Sequence, residues 1–384
     1  MDIHTKVAYS VESWLPVTMT WIFTQVKYQE WFSPIILADE TYGIERLPDY
    51  SVYSQYNKIT RSSINLLRRI GIRPTPRVFN NALIKHQTNI LHSHFGDRGW
   101  YDLPMVGKHN LKHVVSFYGY DLSFLPSIFP VWKKRYKELF DCTDLFLCEG
   151  PHMAQQLRGL GCPEEKVKVQ RLGIDLEKIP FRPREVIDNG TIKILIAGRF
   201  VEKKGIPYAL EAVGRIKEKY SNIRVTIVGD SAGTKREEVE KEKILEIIQR
   251  YDMQAITSML GFQPFDVLMQ QAYNHHLFLS PSVTAIDGDI EGGVPVSIIE
   301  MLASGMLVIS SFHCDIPGVV FHRKSGLLAQ EKDVDTIAEY IIWLIEHQEK
   351  WKEMTEAGRR HIERNFNARI QGQELIDIYQ KLIQ

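Results

Sequence analysis

Arg199 and Lys204 follow directly on a short apolar run, Ile192 to Ala197, that ends at Gly198. In an open parallel sheet, ligands bind beyond the carboxyl ends of the strands, so side chains emerging there face a ligand. An arginine fork beside a lysine point charge suits a diphosphate. Taken alone, the segment fits equally well with two solvated cations beside Lys203.

A second segment runs from Ser280 to Gly305. A strand stops at Pro281, and a loop carrying Asp287, Asp289, Glu291, Gly292 and Gly293 follows. Val294 then leads into Pro295 at a first helical position, and Gly305 ends the helix. A helix N-terminus behind glycines is an anion site that a phosphate can approach closely. Glu291 in the loop and Glu300 on the helix can face one pocket. Carboxylates beside an anion are costly unless they accept hydrogen bonds from ligand hydroxyls, which points to a polyol or sugar. Asp287-Gly288-Asp289 matches the D-x-D pattern of metal-dependent transferases. With two cations and a helix terminus at hand, neither a metal nor a cofactor is required.

These motifs resemble the retaining GT-B glycosyltransferases of family 4, of exopolysaccharide type. The resemblance rests on Gly198-Arg199 with Lys204-Gly205, then Pro281-Ser282, Glu291-Gly292-Gly293-Val294-Pro295 and Glu300. It extends over Ile227-Val228-Gly229-Asp230, Leu260-Gly261-Phe262, Ala303-Ser304-Gly305 and Asp315-Ile316-Pro317. In the first half, His92-Ser93-His94-Phe95-Gly96, Ser116-Phe117-Tyr118-Gly119-Tyr120-Asp121 and the stretch 169–175 resemble weaker signatures of the same family. The resemblance implies that Arg199 and Lys204 clamp the diphosphate of a nucleotide sugar. It places Glu300 on the ribose and Glu291 on the transferred sugar. Gly292 and Gly293, with the N–H groups opening the helix at Pro295, would then cap the phosphates, Gly261 and Phe262 would lie at the base, and Gly198, Gly229 and Val294 would complete the donor site. Two departures stand out. Glu291 and Glu300 enclose eight residues where the family usually has seven, and Tyr118 stands where many members have a histidine. His94, Tyr118 and Asp121 are the remaining catalytic candidates, of which a phenol such as Tyr118 cannot act as a near-neutral acid or base.

Elements must hold these residues in place. Apolar runs at 6–10, 35–38, 90–94, 113–117, 145–148 and 168–172, and again at 193–197, 224–228, 256–260, 277–280, 307–310 and 326–329, alternate with helix-period segments. That pattern predicts two α/β domains with doubly wound parallel sheets, which the resemblance makes two Rossmann-like domains facing across a cleft. The expected division is an acceptor-binding domain over 1–180, a hinge over 181–190 around Pro180 and Pro183, a donor-binding domain over 191–365, and a terminal helix over 366–384. In that helix, Ile370, Leu375, Ile376, Ile378, Tyr379 and Leu382 form an apolar stripe that can return to the first domain.

Composition closes off other classes. The chain has 384 residues, 44% of them hydrophobic, and 47 cationic side chains balance 47 anionic ones. No global field attracts nucleic acid. Four cysteines without C-x-x-C spacing argue against zinc or a disulfide framework and for a cytoplasmic setting. No apolar run approaches the ~20 residues of a membrane span. A nicotinamide dehydrogenase needs G-x-G-x-x-G, and the near match Gly159-Leu160-Gly161 lacks the third glycine. A sugar-nucleotide epimerase and a non-catalytic sugar-nucleotide binder remain as alternatives.

Between Ser51 and Gly96 there is no acidic residue, while Lys58, Arg61, Arg68, Arg69, Arg73, Arg77 and Lys85 are interleaved with Ile64, Leu66, Leu67 and Ile70. Trp132, Lys133, Lys134, Arg135, Tyr136, Lys137 and Phe140 form a second cluster. Solvated helix faces are one explanation. An anionic membrane surface carrying a lipid-linked acceptor is the other.

Overall fold

Ile194 and Ile196 pack into one apolar cluster and Leu195 into another. Alternate residues of a continuous apolar run thus cover opposite faces of a sheet, as parallel sheets sandwiched by helices require. The structure is a computed structural model describing residues 5–15, 20–29, 34–42, 50–54, 64, 66–68, 70–185 and 190–384. In chain order the elements begin β1 (Val7–Trp14), α1 (Thr20–Lys27), β2 (Ile35–Thr41), β3 (Ser51–Ser54), α2 (Arg77–His86), β4 (Ile90–His94), α3 (Gly96–His109) and β5 (Lys112–Ser116). They continue with α4 (Phe124–Ile128), α5 (Val131–Cys142), β6 (Leu145–Cys148), α6 (Pro151–Gly159) and β7 (Val167–Val169). Next come β8 (Ile192–Ala197), α7 (Ile206–Ile216), β9 (Ile223–Val228), α8 (Lys235–Arg250), β10 (Thr257–Met259), α9 (Phe265–Asn274) and β11 (Leu277–Ser280). The chain closes with α10 (Val296–Ser304), β12 (Leu307–Ser311), β13 (Leu327–Ala329), α11 (Val334–Glu346), α12 (Trp351–Asn365) and α13 (Ala368–Ile383).

The chain divides into two units, Met1–Gly173 with Ala368–Gln384, and Ile174–Asn367. Among the described residues, the first unit holds a parallel sheet ordered β3-β2-β1-β4-β5-β6-β7 and the second one ordered β10-β9-β8-β11-β12-β13. Both are doubly wound, with the strand order reversing between β1 and β4 and between β8 and β11. β3 is absent from the sequence reading because Ser51, Val52, Tyr53 and Ser54 form no apolar run. They are held at the sheet edge by their register with β2, Ile35 opposite Ser51.

The expected hinge over 181–190 is corrected. The division falls at Gly173/Ile174, because Ile179 lies in a core cluster of the second unit and Arg184 is fastened there. Arg184 Nε donates to the His275 carbonyl (2.7 Å), and its Nη2 donates to the Ala272 carbonyl (2.8 Å) and Ser304 Oγ (3.0 Å). Residues 186–189 lie outside the described ones. The last boundary is Asn367/Ala368, and α13 belongs to the first unit. Leu375, Ile378 and Tyr379 pack with Val7, Tyr9 and Val11, and Tyr379 Oη lies 2.6 Å from His92 Nδ1. Ile370, expected on the apolar stripe, is exposed.

The basic clusters of the first unit are partly internal. Arg68 pairs with Asp39 at 2.8 Å, Arg73 pairs with Glu138 at 2.9 Å, and Arg135 stacks on Trp100 and Trp132. Trp132, Tyr136 and Phe140 are buried. Lys58, Arg61 and Arg69 lie outside the described residues.

Candidate active site

β8 and β11 flank the reversal point of the second sheet, and their carboxyl ends deliver both predicted segments. The backbone closes tightly there. Gly205 has φ +64°, and a Cβ on it would stand 1.9 Å from the Pro281 carbonyl oxygen. Gly229 has φ +133°, and a Cβ there would stand 1.9 Å from the Gly198 oxygen. Only glycine fits either position. The Gly229 N–H donates to the Gly261 carbonyl at 2.8 Å, so Gly198, Gly229 and Gly261 line up at the ends of three neighbouring strands with Phe262 exposed beside them.

Lys204 reaches across to the acidic loop. Its Nζ lies 2.9 Å from Glu291 Oε2, and Glu291 Oε1 accepts from Ser282 Oγ at 2.9 Å. Burial pushes the Glu291 carboxyl up, but Lys204 and Lys203 outweigh it and hold the group below its ordinary range. The Glu291 N–H donates to His313 Nε2 (3.2 Å), and His313 Nδ1 lies 2.6 Å from Glu331 Oε1. Lys203 Nζ donates to Asp289 Oδ1 and the Ile290 carbonyl, both at 3.0 Å. Arg236 pairs with Asp289 at 2.8 Å and Asp287 at 3.0 Å. Both acids of the D-x-D pattern are therefore engaged by protein cations, and they fasten the loop that presents Glu291.

Pro295 is extended (φ −53°, ψ 124°) and caps α10, which starts one residue later than expected, at Val296, and ends at Gly305 with φ +85°. Gly292 (φ +79°), Gly293 and buried Val294 lead into the first turn, which contains no acidic residue. Glu300 lies on α10, buried, with no hydrogen bond or ion pair to its carboxyl among the described residues. Burial alone raises its pKa to about 8. Arg199 Nε donates to Glu237 Oε1 at 3.0 Å. Glu237, Arg236 and His313 were not singled out in the sequence, and Lys203 only as a neighbouring cation. For Glu237 the signal was present in the capping-box spacing Thr234-x-x-Glu237.

His94, Tyr118 and Asp121 lie in the first unit and interact with one another or with its backbone. His94 is buried at the end of β4, with Nδ1 2.6 Å from Tyr118 Oη and its ring stacked on Tyr118. Burial lowers its pKa to about 3, so the ring is neutral near pH 7. Asp121 accepts from the Gly96 N–H at 2.6 Å and the Tyr118 N–H at 2.9 Å. Both its oxygens hold backbone, tying Gly96 at the start of α3 to the turn at Tyr118. Burial raises this carboxyl to about 7, against the pull of those two amides.

The family description Glycosyl transferases group 1 matches residues 177–361, and Glycosyltransferase Family 4 matches residues 41–178. WcaL of Escherichia coli K12, assigned to colanic acid biosynthesis, is 30% identical over 300 residues, 77% of this chain and 71% of WcaL. The chain belongs to glycosyltransferase family 4. This glycosyltransferase is also 32% identical over 271 residues to the amylovoran biosynthesis glycosyltransferase AmsK of Erwinia amylovora, covering 71% of this chain and 64% of AmsK. Sucrose-phosphate synthase from Thermosynechococcus elongatus shares its GT-B fold at a TM-score of 0.78, with 15% identity over 99% of both chains. Anabaena HepE, solved with UDP and glucose, shares it at 0.78 and 15% identity, over 98% of this chain and all of HepE.

Proposed function

We propose that this glycosyltransferase is a retaining, metal-independent hexosyltransferase of exopolysaccharide assembly. Its donor is a nucleotide diphosphate sugar, and its acceptor is a saccharide or lipid-linked saccharide met at the inner face of the membrane. The observation that carries the reading is that the ends of β8 and β11, at one strand reversal, deliver Arg199, the paired Lys204 and Glu291, and the first turn of α10, the helix that carries Glu300. Arg199, Lys204 and the α10 N–H groups neutralise charge that grows on the leaving diphosphate. Glu291 accepts from hydroxyls of the transferred sugar and Glu300 from the ribose. WcaL and AmsK carry polysaccharide biosynthesis in their names, and HepE was solved with UDP-glucose. In retention by same-face displacement, the bond from the anomeric carbon to the phosphate oxygen breaks as the bond to the acceptor oxygen forms. The acceptor proton passes to the departing phosphate. The test is incubation with a panel of nucleotide sugars, with and without acceptor oligosaccharide, following nucleoside diphosphate release and product anomer by NMR. An inverted product, or sugar isomerisation without acceptor, would defeat the reading, the latter in favour of an epimerase.

The metal-independent reading is supported by the charges already present, since Lys203 and Arg236 pair with Asp289 and Arg236 also pairs with Asp287. Turnover is expected to persist in excess EDTA. Loss restored by manganese or magnesium would return the two aspartates to a metal role.

The membrane reading rests on a surface that replaces the sequence-derived one. From the end of α4 to the start of α5, Ile128, Phe129, Pro130 and Val131 stand exposed in succession, and Lys133, Lys134 and Lys137 follow on exposed positions of α5. Exposed Ile70 and Ile72 flank Gly71, where a Cβ would lie 3.8 Å from Arg135 of the same helix. Apolar side chains ringed by lysines suit the boundary of an anionic bilayer, each cation near the surface contributing ~1 kcal/mol. Among the described residues no helix is long and apolar enough to cross a membrane. Co-sedimentation with anionic liposomes is expected at low salt and is expected to fail for Phe129→Asp. Equal, negligible pelleting of the unaltered chain with anionic and neutral lipid at low salt would make this an ordinary surface.

A further inference from the structure

We propose that Glu237 is a positioning residue of the donor site, holding the Arg199 guanidinium so that its outer edge faces a diphosphate. The inference deepens the proposed function and rests on its assignment of Arg199 to the diphosphate.

The side chains of the pair differ sharply in exposure: Glu237 is 1% exposed and Arg199 49%. The two carboxylate oxygens divide their work. Oε2 accepts from the Ala232 N–H (3.0 Å), the Thr234 hydroxyl (3.0 Å) and the Thr234 N–H (3.4 Å), which closes the capping box of α8. Oε1 is left for Arg199, accepting from Nε at 3.0 Å and from Nη2. The carboxylate cannot turn away without breaking its own cap. Burial pushes the Glu237 carboxyl up, but Arg199 and Thr234 more than offset this and hold it below its ordinary range, so it is ionised at neutral pH.

The fork is thereby gripped along its inner edge, while Nη1 has no protein partner among the described residues. That outer edge is what a phosphate takes end-on. The backbone is held as well. The Gly198 N–H donates to the Val228 carbonyl at 2.9 Å and the Phe200 N–H to the Asp230 carbonyl at 3.1 Å, pinning the residues on either side of Arg199 to the β9 end.

A cap alone does not explain this arrangement. Capping uses only Oε2, which a glutamine supplies equally well, and a half-exposed ion pair contributes little to stability. What a rigid carboxylate adds is order. A free arginine side chain must be immobilised when a diphosphate binds, whereas one already gripped loses little freedom.

The experiment is isothermal calorimetry with UDP, ADP and GDP, using whichever the unaltered chain binds, on Glu237→Gln, Arg199→Ala and the double variant, with a thermal melt for each. Glu237→Gln is expected to weaken binding about five- to tenfold with little change in melting temperature, and to have no further effect once Arg199 is alanine. Thr234→Ala, which removes the hydroxyl partner of the cap and leaves the ion pair, is expected to lower the melting temperature and keep the affinity. If Glu237→Gln does not fold, Glu237→Asp, which keeps the charge and shortens the reach, is expected to show the same loss. Unchanged or tighter binding by a folded Glu237 variant, or equal losses with and without Arg199, would overturn the proposal. Unchanged affinity for Arg199→Ala would instead overturn the diphosphate assignment beneath it.

Discussion

Replacing Arg199 or Lys204 by alanine is expected to lower turnover by ~10²–10³-fold at saturating donor, the usual cost of losing one preorganised charge partner of a transition state. Both side chains sit beyond the carboxyl end of β8, where negative charge on a leaving diphosphate would grow. Their stability costs differ. Arg199 is half exposed, and its removal opens no cavity. Lys204 neutralises Glu291, which is buried and keeps Ser282 Oγ as a direct partner. Lys204→Ala therefore leaves a buried carboxylate poorly compensated and is expected to cost a further ~1–3 kcal/mol of folding stability. Steady-state kinetics beside denaturant unfolding separates the two. A variant keeping half of the unaltered turnover would show that its cation does not act on the diphosphate.

That asymmetry between Arg199 and Lys204 was not legible in the sequence, although both residues were. Strands such as β8 and β12 declare themselves because parallel strands covered on both faces read as unbroken apolar runs, and the glycines at 198, 205 and 229 mark where those strands must close on one another. Partners are a different matter. Lys204 and Glu291 are 87 positions apart, and Arg199 and Glu237 are 38 apart. Nothing local distinguishes an acid that meets a cation from one that meets water.

Aromatic and basic residues mislead for the same reason. In Trp132, Arg135 and Tyr136 the helical period is visible, but which face meets Trp100 depends on how α5 packs on α3. The exposed face is instead begun by Ile128, Phe129 and Val131, three apolar residues that a hydrophobic pattern assigns to the core. The unit boundary was misplaced through Arg184. A charged residue just after a proline reads as linker, yet this one satisfies three backbone carbonyls and a hydroxyl of the second unit. Residue type also says nothing of how burial moves a proton: it drives His94 at the end of β4 down to about 3 and Asp121 up to about 7, in opposite directions from their ordinary values.

Glu300→Gln is expected to stabilise the ligand-free chain above neutral pH while weakening its hold on a nucleoside diphosphate. The carboxyl stays protonated to about pH 8 in the folded chain because it is buried and has no partner among the described residues. On unfolding it returns toward its ordinary value near 4.5. Between those limits the folded chain carries a proton that the unfolded chain has released, so rising pH favours unfolding, at ~1.4 kcal/mol per pH unit. Glutamine carries no such proton, and the variant is expected to match the unaltered chain near pH 4.5 and to exceed it progressively toward pH 8. Asp97 and Asp121 titrate in the same window, with pKa values of about 6 and about 7, both raised by burial. The informative quantity is therefore the difference between the two chains in denaturant unfolding at several pH values. Binding runs the other way. Ribose hydroxyls that donate to this carboxylate favour its ionised form, so nucleoside diphosphate binding to the unaltered chain is expected to release a proton and to strengthen between pH 6 and pH 8. Calorimetry in buffers of different ionisation enthalpy counts that proton. Glu291→Gln is expected to leave the count unchanged, because Lys204 and Lys203 hold that carboxylate ionised before any ligand arrives. A Glu300→Gln chain that binds as tightly as the original, with the same proton release, would remove Glu300 from the nucleotide site and leave it a buried acid of the α10 core.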